Sequence, residues 1–561
     1  MRVADYIAEF LHAQGVREIF MLSGTGSIHL DDAFARHDDI EFYCARHEGA
    51  AAMMAVGCAK LSERLGVAVV TTGPGGTNAI SGVVEGWVDS VPMLVLSGQV
   101  ANRWIGSTRS FGVQGFEIVP VVHGFTKYAA RVEDPATIGD HLGQAVAAAC
   151  SGRPGPAWLD VPADVQAAEI DAAPAAGAAA PAPGGDHGPE LERRLDQAAE
   201  LMREAERPLI VIGQGLRQRD ALPAFMRLRD ELGAPVISSR MAADLMPLAS
   251  DLFLGQGGTR GRRGATAAMR ECDFVLSLGC SLAHSLLGDE EELLDGARIA
   301  MVDIDPDEMA KPGLRVEVPI RADVGLAIEG LLARWRQGRR PDWSDWANRC
   351  RRREEELPTV LPEQRGDPIN TYHFVEELER RTERHNVFVS DAGGAYYATG
   401  QALRFERGQR ELTSAAFASM GVSLSLAVGA AVADPGAQVL VVTGDGSIET
   451  NIQELQTIAQ YGLGIKVFVL NNGGYASIRD TQDAMCGGLH TDLHPVLDFA
   501  RIATAFDLPY RRIDSSATMP AAIAELLTED GPALIEVVCD PEQEMITPAA
   551  ELAEIADRSP A

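Results

Sequence analysis

Two apolar runs that both stop at polar and glycine residues constrain the fold of this chain more than any other feature. Residues 439–443 (VLVVT) are followed by residues 444–447 (GDGS), and residues 467–470 (VFVL) by residues 471–474 (NNGG). Short, largely β-branched apolar runs are typical of strands in parallel sheets with both faces covered. The segment between them, residues 449–461, repeats its apolar residues at helical spacing. Strand, turn, helix and strand together predict a right-handed βαβ unit, which binds ligands outside the carboxyl ends of its strands.

The residue types at the two strand ends suit a metal ion and a phosphate. Asp445 offers a carboxylate and Asn472 an amide oxygen, and Mg²⁺ and Ca²⁺ prefer hard oxygen ligands of this kind. Gly444 and Gly446 let a ligand approach the backbone closely, and the N-terminus of the following helix offers free N–H groups to an anion. Asp-Gly alone is common in turns, so the two strand ends, 27 positions apart (472 − 445), are the more specific signal.

GDGS followed by NNGG at this spacing resembles the diphosphate- and Mg²⁺-binding motif of thiamine diphosphate (ThDP) enzymes. The resemblance covers essentially the whole chain and is to the acetolactate synthase type, in its large catalytic subunit form. It implies that Asp445, Asn472 and the backbone carbonyl of Gly474 hold the metal ion. The motif residues then expected to contact ThDP are Gly444, Asp445, Gly446, Ser447, Asn472, Gly474 and Tyr475.

Charge, cysteine usage and hydropathy limit the function classes. The net charge is 49 − 80 = −31, which argues against a nucleic-acid or anionic-membrane partner. The eight cysteines are scattered without CxxC pairs, as expected for reduced thiols in a cytosolic protein. The N-terminus lacks the apolar core of a signal peptide, and no stretch approaches the ~18 apolar residues of a membrane span. We therefore expect a soluble, cytoplasmic protein.

Apolar runs alternate with helical patterns along nearly the whole chain, which predicts an α/β protein with three doubly wound parallel sheets. The predicted divisions are an N-terminal domain (1–166), an Ala/Pro/Gly linker (167–190), a central domain (191–345), a charged linker (346–366), a C-terminal domain (367–541) and a tail (542–561). In the family that the chain resembles, the first and last domains bind the pyrimidine and the diphosphate of ThDP. That family places the cofactor between two subunits, which implies a homodimer or homotetramer with its active site at the subunit interface.

A candidate catalytic acid lies in the first domain. Residues 45–51 (ARHEGAA) resemble the R-H-E-x-x-A motif of the family, and this resemblance assigns Glu48 as the acid that bonds to a pyrimidine ring nitrogen of ThDP and relays its proton. A glutamate at the start of a helix is more often just a charge favoured by the helix dipole. The distant GDG and NN motifs make the catalytic interpretation the stronger one.

Further positions match the family one by one. Residues 72–78 (TGPGGTN) resemble a cofactor loop, which implies that Gly73 and Asn78 contact ThDP. Gln114 and Lys127 resemble the glutamine and lysine of the acetolactate synthase substrate channel, although Val113 replaces the phenylalanine of that family. The other expected cofactor contacts are Gly393 and Gly394 at a strand end and Met420, whose side chain props ThDP in its bent form or, alternatively, only fills the core.

Departures from simple decarboxylases favour a carboligase. Those enzymes use a pair of histidines that is missing near 110–125, where only His123 occurs, and their glutamate after the metal motif falls on Ile478. Without a proton donor for release of an aldehyde, the acyl unit is expected to pass to a second carbonyl after decarboxylation of a 2-oxo acid such as pyruvate. The alternatives are a ThDP-dependent C–C lyase or hydrolase, decarboxylation without ligation, and a non-catalytic relative that kept the pocket.

The acceptor and a second cofactor stay open at this point. Ala476, Ile478 and Gln482 are the candidate acceptor-pocket residues, and the acceptor is a 2-oxo acid, a ketone or a keto-sugar. Many synthases of this family carry FAD in the middle domain, and residues 213–215 (GQG) and 303–305 (DID) resemble that site. Both patterns also occur in relatives without FAD, and a lone G-x-G is a weak signal. The arginine cluster fits either a flavin diphosphate or a solvated loop; it comprises Arg260, Arg262 and Arg263.

Overall fold

The computed structural model describes residues 1–106, 109, 112–171, 185–218, 221–288, 293–488, 491 and 497–548. Within these residues the chain forms three parallel sheets of six strands each, with helices between successive strands. The predicted α/β class with three doubly wound parallel sheets is confirmed.

The N-terminal part folds around the first sheet. Its elements are α1 (Val3–Ala13), β1 (Glu18–Met21), α2 (Ile28–Ala35), β2 (Glu41–Cys44), α3 (Glu48–Ser62), β3 (Gly66–Val70), α4 (Pro74–Val88), β4 (Met93–Gln99), α5 (Val119–Val122), β5 (Tyr128–Arg131), α6 (Ile138–Cys150), β6 (Pro156–Pro162) and α7 (Ala163–Ala167). The strand order is β2-β1-β3-β4-β6-β5. Val67 and Val69 point into one core and Ala68 and Val70 into another, so both faces of β3 are covered.

The central part forms the second sheet. Its elements are α8 (Pro189–Glu204), β7 (Pro208–Ile212), α9 (Gly215–Gln218), α10 (Leu222–Leu232), β8 (Val236–Ser238), β9 (Phe253–Gln256), α11 (Arg263–Glu271), β10 (Phe274–Leu278), α12 (His284–Leu287), β11 (Arg298–Asp303), α13 (Pro306–Met309), β12 (Val318–Arg321), α14 (Val324–Gln337) and α15 (Ser344–Glu356), and its order is β12-β11-β10-β7-β8-β9. Helix α15 lies partly in the segment interpreted as a linker (346–366). Trp346 is buried there and donates from Nε1 to the Pro208 carbonyl at 2.9 Å, because the polar sequence of the helix hides one apolar face.

The C-terminal part forms the third sheet. Its elements are α16 (Thr371–Glu379), β13 (Asn386–Ser390), α17 (Gly394–Ala402), β14 (Arg410–Leu412), α18 (Val422–Ala433), β15 (Gln438–Gly444), α19 (Asp445–Ile448), a 3₁₀ helix (Glu449–Asn451), α20 (Glu454–Tyr461), β16 (Ile465–Asn471), α21 (Ala476–Cys486), α22 (Phe499–Ala505), β17 (Tyr510–Ile513), α23 (Met519–Thr528) and β18 (Ala533–Val538). The order β14-β13-β15-β16-β18-β17 repeats that of the first sheet, strand for strand.

Two expectations about this part need correction. The helix predicted over 449–461 is interrupted, because Thr450 and Asn451 turn their side chains back to the loop before α18. Part of the predicted tail is anchored to α16: Gln543 Oε1 accepts from the Thr371 N–H at 2.7 Å. Residues 549–561 of that tail and 172–184 of the first predicted linker lie outside the described residues.

The first and third sheets meet through helices α3 and α18 of the same chain. Their approach depends on glycine: a Cβ at Gly57 would lie 2.4 Å from the Leu426 carbonyl oxygen, and one at Gly429 would lie 2.0 Å from that of Met54. The buried Lys60 ammonium adds a polar link, since it bonds both the Asp89 carboxylate and the Thr413 carbonyl at 2.6 Å.

The eight cysteines are unpaired, as expected from their spacing, and Cys486 alone among them is exposed. Across the described residues, the helices all lack the combination of length and apolarity that crossing a bilayer requires.

Candidate active site

Asp445 lies where β15 and β16 end at the carboxyl edge of the third sheet. Its Oδ2 accepts from the backbone N–H groups of Gly473 and Gly474 at 3.0 and 2.9 Å, and its Oδ1 accepts from Gly446 at 2.8 Å. Burial raises the pKa of this carboxyl group, while the amide hydrogen bonds oppose the rise. The GDGS and NNGG segments therefore lie side by side, as predicted, and the Asp445 carboxylate links them through these hydrogen bonds.

Glycine is required at three of these positions. Gly473 and Gly474 have φ values of 80° and 120°, a region that side chains with a Cβ rarely adopt. A Cβ at Gly446 would lie 2.1 Å from the Tyr475 ring. The turn after β16 is closed further by Arg479, which donates to the carbonyls of Gly473 and Asn472 at 3.1 and 3.4 Å.

A second buried carboxylate, Asp391, ties the neighbouring loops to this turn. It follows β13 and accepts from the Gly421 N–H at 2.9 Å and from the Thr443 hydroxyl at 3.1 Å. It also accepts from the Ser423 hydroxyl, so the starts of α17 and α18 and the end of β15 share one anchor. The sequence predicts that the strand end containing Asp391 borders the diphosphate, but it does not predict this anchoring role; the polarity of Asp391 directly after a buried strand was the available signal.

Met420 lies in the loop before α18, which is hydrogen-bonded to the 3₁₀ helix Glu449–Asn451. Thr450 donates from Oγ1 to the Met420 carbonyl at 2.7 Å, and Asn451 donates to the Gly421 carbonyl at 3.1 Å. The Met420 side chain is itself partly exposed, which is unlike a core filler. Gly393 has a φ of 66° and faces the start of α21: a Cβ added at this position would lie 3.6 Å from the Ser477 hydroxyl. Gly394 begins α17 beside it.

Glu48 is the first residue of α3, at the carboxyl edge of the first sheet. The preceding His47 caps the helix by accepting from the Gly49 N–H at 3.1 Å. The Glu48 side chain is buried, with the residue only 8% exposed, and its Oε2 accepts from Asn78 Nδ2 at 3.0 Å. A Cβ at Gly75 would lie 3.7 Å from its Oε1. The structure therefore brings Glu48 and Asn78, predicted separately, into direct contact.

The loop after β3 packs against the segment that contains Gln114. Gly73 has φ of 61°, and a Cβ there would lie 2.3 Å from the Gln114 carbonyl oxygen. Gln114 is exposed and also has a left-handed backbone, with φ of 61°. The structure thus packs the Gln114 backbone against the loop after β3 and leaves the Gln114 side chain exposed.

A buried polar network lies beneath the Gln114 segment and was missed at the sequence level. Asp160 accepts from the Ser97 hydroxyl at 2.6 Å and from Gln99 Nε2 at 3.0 Å. Gln99 Nε2 also donates to the Phe116 carbonyl at 2.7 Å. Burial raises the pKa of Asp160 to about 7. The polar residues inside the strands β4 and β6 were the signal for this network, since buried polar groups need partners.

The C-terminal part also holds the segment that leads into Glu48. The Arg46 N–H donates to the buried Glu454 carboxylate at 3.0 Å, and the Cys44 N–H donates to the Tyr461 hydroxyl at 2.8 Å. Both acceptors belong to α20, on the third sheet. They have no local sequence signal, because the contact joins residues more than 400 positions apart.

The remaining predicted substrate residues are dispersed. Lys127 lies at the amino end of β5, the sheet edge away from Glu48, and its ammonium bonds the Ser151 carbonyl. Ala476, Ile478 and Gln482 lie on α21, and Ile478 is 47% exposed. The Gln482 amide bonds both the Thr491 hydroxyl and its N–H, at 2.7 and 3.1 Å.

A large cavity lies where the three parts of the chain meet. Its volume is about 750 Å³, and it lies outside the strand ends that carry residues 213–215 and Asp303. Two arginine–tyrosine stacks line it: Arg240 over Tyr396 at 4.8 Å and Arg260 over Tyr397 at 4.7 Å.

Of the arginine cluster considered for an anion, only Arg260 lines this cavity. Arg262 is buried against the Glu354 carboxylate and the Gln401 carbonyl, and Arg263 donates to the Pro358 carbonyl at 2.8 Å. Both are therefore structural contacts rather than parts of an anion site or a solvated loop. Arg153 contributes a further cation from the first domain and bonds Asp305 Oδ2 at 3.1 Å.

Comparisons with known proteins match all three parts. Family models described as the N-terminal TPP binding domain, the central domain and the C-terminal TPP binding domain of thiamine pyrophosphate enzymes match residues 1–119, 195–331 and 391–537. The chain is 30% identical to the acetolactate synthase large subunit of Lactococcus lactis, over 95% of this chain and 92% of that protein. It is 30% identical to the isozyme 1 large subunit of Escherichia coli (98% and 96% covered). It is 32% identical to chloroplastic acetolactate synthase 1 of rice (97% and 85% covered).

Proposed function

This chain belongs to the thiamine pyrophosphate enzyme family, and from that premise we propose that it is a ThDP- and Mg²⁺-dependent carboligase. It decarboxylates a 2-oxo acid, with pyruvate as the donor, and transfers the acyl unit to a second carbonyl compound. The observation that carries the proposal is that one chain keeps both halves of the site. The buried Glu48 is oriented by Asn78, and Asp445 holds the two glycine turns.

The donor set around Asp445 fits Mg²⁺. A buried carboxylate whose pKa is raised by burial is stabilised by a divalent cation, and the Gly474 carbonyl and Asn472 amide supply the oxygen ligands that Mg²⁺ prefers. Gly444, Gly446 and Ser447 at the start of α19, together with Gly393 and Gly394, would contact the diphosphate. Tyr475, whose ring lies against Gly446, and Met420 would contact the same cofactor. These residues would hold the cofactor by its metal-bound end.

When bound, ThDP would supply a nucleophilic carbon and an electron sink for the decarboxylation of a 2-oxo acid. Glu48 would share the proton that this activation requires. Because Asn78 occupies Oε2, Oε1 is the oxygen left for a ligand beside Gly75, and it would bond to a ring nitrogen of the cofactor. Burial of Glu48 keeps water from that proton, as general acid–base catalysis in a dry pocket requires.

The substrate half of the proposal rests on Gln114 and α21. Gln114 orients the donor from its position over Gly73. Lys127 lies at the opposite edge of the first sheet and takes no part in this half of the proposal. Ile478 puts an apolar side chain at the position where decarboxylases carry a glutamate, so it cannot protonate the bound acyl unit. Ligation to a second carbonyl is then favoured over aldehyde release.

The acceptor is proposed to be a second 2-oxo acid, as the names of the relatives imply for those proteins, with a ketone or keto-sugar as the other candidates. Ala476 and Ile478 offer small and apolar surface to it. The contribution of Gln482 to this pocket is indirect, because its side-chain amide is hydrogen-bonded to Thr491 and holds that residue in place.

We also propose that FAD binds in the cavity between the domains. The volume of about 750 Å³ lies within the range of about 300–1,000 Å³ typical of cofactor sites. The two arginine–tyrosine stacks offer planar surfaces to a dinucleotide. Arg260 adds positive charge, whereas the charge of Arg240 is balanced by the Glu411 carboxylate. Heat-denatured protein is expected to release FAD, detected by chromatography and fluorescence. If neither the purified protein nor the protein incubated with FAD carries flavin, the proposed FAD site is wrong.

The proposed assembly is a cytoplasmic homodimer or homotetramer with its active site between subunits. Large apolar side chains are exposed on segments of both the first and the third part of the chain, and exposed apolar surface is typical of subunit interfaces. They are Ile28, Trp104, Val113, Phe116, Phe417 and Ile478.

The decisive experiment follows ¹³C-pyruvate by NMR in the presence of protein, ThDP and Mg²⁺. Parallel mixtures add 2-oxobutyrate, a simple ketone or a keto-sugar, and Glu48→Gln protein is the control. Labelled acetolactate or a labelled acceptor adduct, absent in the control, is the expected result. Labelled acetaldehyde alone would favour decarboxylation without ligation. Unchanged pyruvate in every mixture would contradict the donor and favour the lyase or hydrolase alternative.

A further inference from the structure

Two histidines and a glutamate converge on the outer surface of the N-terminal part, at the sheet edge away from Glu48. Glu9 and His12 lie three positions apart on α1, and His37 follows the end of α2. Ligand atoms of the three side chains all lie within 4.8 Å of one another. The two imidazole rings are 5.1 Å apart between centroids, tilted by 50°.

The Nε2 atom of His37 points into this cluster without a hydrogen-bond partner, while Nδ1 accepts from the Asp39 N–H. The His37 side chain is only 9% exposed, and its Nε2 is sealed from solvent within the described structure. The Glu9 Oε1 atom lies 3.8 Å from Nε2, too far for a hydrogen bond. Buried polar atoms are nearly always satisfied, so an unsatisfied one calls for an ion or a water as partner.

A fourth donor lies beside the group, near His12. Asp39 Oδ2 is 3.9 Å from His12 Nε2 on an exposed side chain, and Asp39 follows His37 by two positions. The neighbouring cations are engaged elsewhere: Arg17 donates to the His12 and Val16 carbonyls at 2.9 and 2.8 Å, and Arg36 bonds the Asp32 carboxylate. Two carboxylates therefore face two imidazoles without a competing cation among the described neighbours.

We propose that Glu9, His12, His37 and Asp39 form a binding site for Zn²⁺ that is separate from the ThDP site. Two imidazole nitrogens with carboxylate oxygens suit zinc, whereas Mg²⁺ and Ca²⁺ prefer oxygen alone. Tetrahedral zinc with ligands at about 2.0–2.2 Å places donor atoms roughly 3.3 Å apart. The more exposed Glu9, His12 and Asp39 side chains need to move inward to reach that geometry around His37, by up to about 1.5 Å (4.8 − 3.3) for Glu9 and His12.

Metal binding has one local cost. The Asp39 N–H donates to His37 Nδ1 at 3.2 Å, which places the ring proton on Nε2. For Nε2 to bind zinc, that proton must move to Nδ1, and the protonated Nδ1 can no longer accept from the Asp39 N–H. Zinc in return ties α1 to the turn before β2, so binding is expected to raise the unfolding temperature.

The test uses the full-length, untagged protein, stripped with chelator and then saturated with Mg²⁺ and ThDP. Zinc chloride is titrated calorimetrically into wild-type protein and into His37→Gln, His12→Gln and the matched control His385→Gln, an exposed histidine before β13. We expect wild-type and His385→Gln protein to bind one zinc ion per chain that the two cluster variants bind much more weakly. Its Kd should rise by about 100-fold or more in both cluster variants, since loss of even an outer-shell partner costs 10–100-fold.

A second readout separates folding from binding. Co²⁺ substituted for zinc should give tetrahedral visible absorption bands in wild-type and His385→Gln protein that both cluster variants lack. His12 is half-exposed, so His12→Gln reports on binding even if the buried His37→Gln protein fails to fold. Equal zinc stoichiometry, affinity and cobalt spectra in all four proteins would overturn the proposal.

Discussion

Asn78 Nδ2 lies 3.0 Å from Glu48 Oε2 and fixes the orientation of that buried carboxylate. Glu48 begins α3, and Asn78 lies in the second turn of α4. The two helices pack so closely that a Cβ at Gly82 would lie 2.6 Å from the Gly49 carbonyl oxygen. One carboxylate oxygen is thereby committed to the protein and the other is left for a ligand. This division of the two oxygens is what a proton relay at one defined atom requires.

Glu48→Gln is expected to lower kcat by about 10²–10⁴, because the amide cannot relay a proton at Oε1. Binding of ThDP should change little, since the shape is kept and the diphosphate half is untouched. The measurements are turnover of ¹³C-pyruvate and calorimetric titration of ThDP with Mg²⁺. Glu63→Gln, an exposed glutamate at the other end of α3, is the matched control. Wild-type turnover in Glu48→Gln would remove Glu48 from the catalytic role.

Asp445→Ala is expected to abolish the Mg²⁺-dependent part of ThDP affinity. Charged hydrogen-bonded contacts contribute about 2–3 kcal/mol, which corresponds to roughly 30–100-fold in Kd. Titrations of ThDP with and without Mg²⁺ measure the effect. Asp434→Ala, an exposed carboxylate after α18, serves as control. If Mg²⁺ still strengthens ThDP binding to the alanine variant by the wild-type factor, Asp445 is not a metal ligand.

Gly446→Ala is expected to displace the Tyr475 ring, because the added Cβ would lie 2.1 Å from it. Overpacking of this kind costs about 1–3 kcal/mol, and the displaced ring should also weaken ThDP binding. Gly464→Ala is the control, since its Cβ would meet only the Ala437 carbonyl at 3.9 Å. Melting curves and ThDP titrations that match the control would show that the ring can move aside at no cost.

The buried strands and their polar ends were predictable from sequence, while the contacts between domains were not. β15 and β16 carry continuous apolar runs because both of their faces are covered. β17 lacks that signal: it is a sheet-edge strand with two exposed arginines, Arg511 and Arg512, and its place is set by pairing with β18.

The same distinction holds for the site. Asp445 and Glu48 follow strand ends, so their residue type and position point to chemistry. Asp391 and Glu454 instead accept hydrogen bonds from backbone groups of distant loops, at Gly421 and Arg46. A single sequence does not show which distant segments will meet. The repeated strand order of the first and third sheets left no visible sequence repeat, because topology constrains the hydrophobic pattern and not the residue identities.

Asp160→Asn is expected to flatten the pH dependence of stability. Burial raises the pKa of Asp160 to about 7 in the folded protein, against about 3.9 in an unfolded chain. Between these values the folded state binds the proton and the unfolded state does not, so the free energy of unfolding falls as pH rises. The loss is largely complete above about pH 7 and amounts to a few kcal/mol at most.

The asparagine variant removes this titration and keeps the network, since its amide can donate to Ser97 while its oxygen accepts from Gln99. Melting temperatures of the variant should therefore exceed those of wild type increasingly between pH 5.5 and 8. Asp140→Asn, an exposed aspartate in the first turn of α6, should follow the wild-type curve. Parallel curves for wild type and Asp160→Asn would mean that Asp160 is ionised in the folded protein, and the Gln99 bridge to Phe116 would then be supported by a charge.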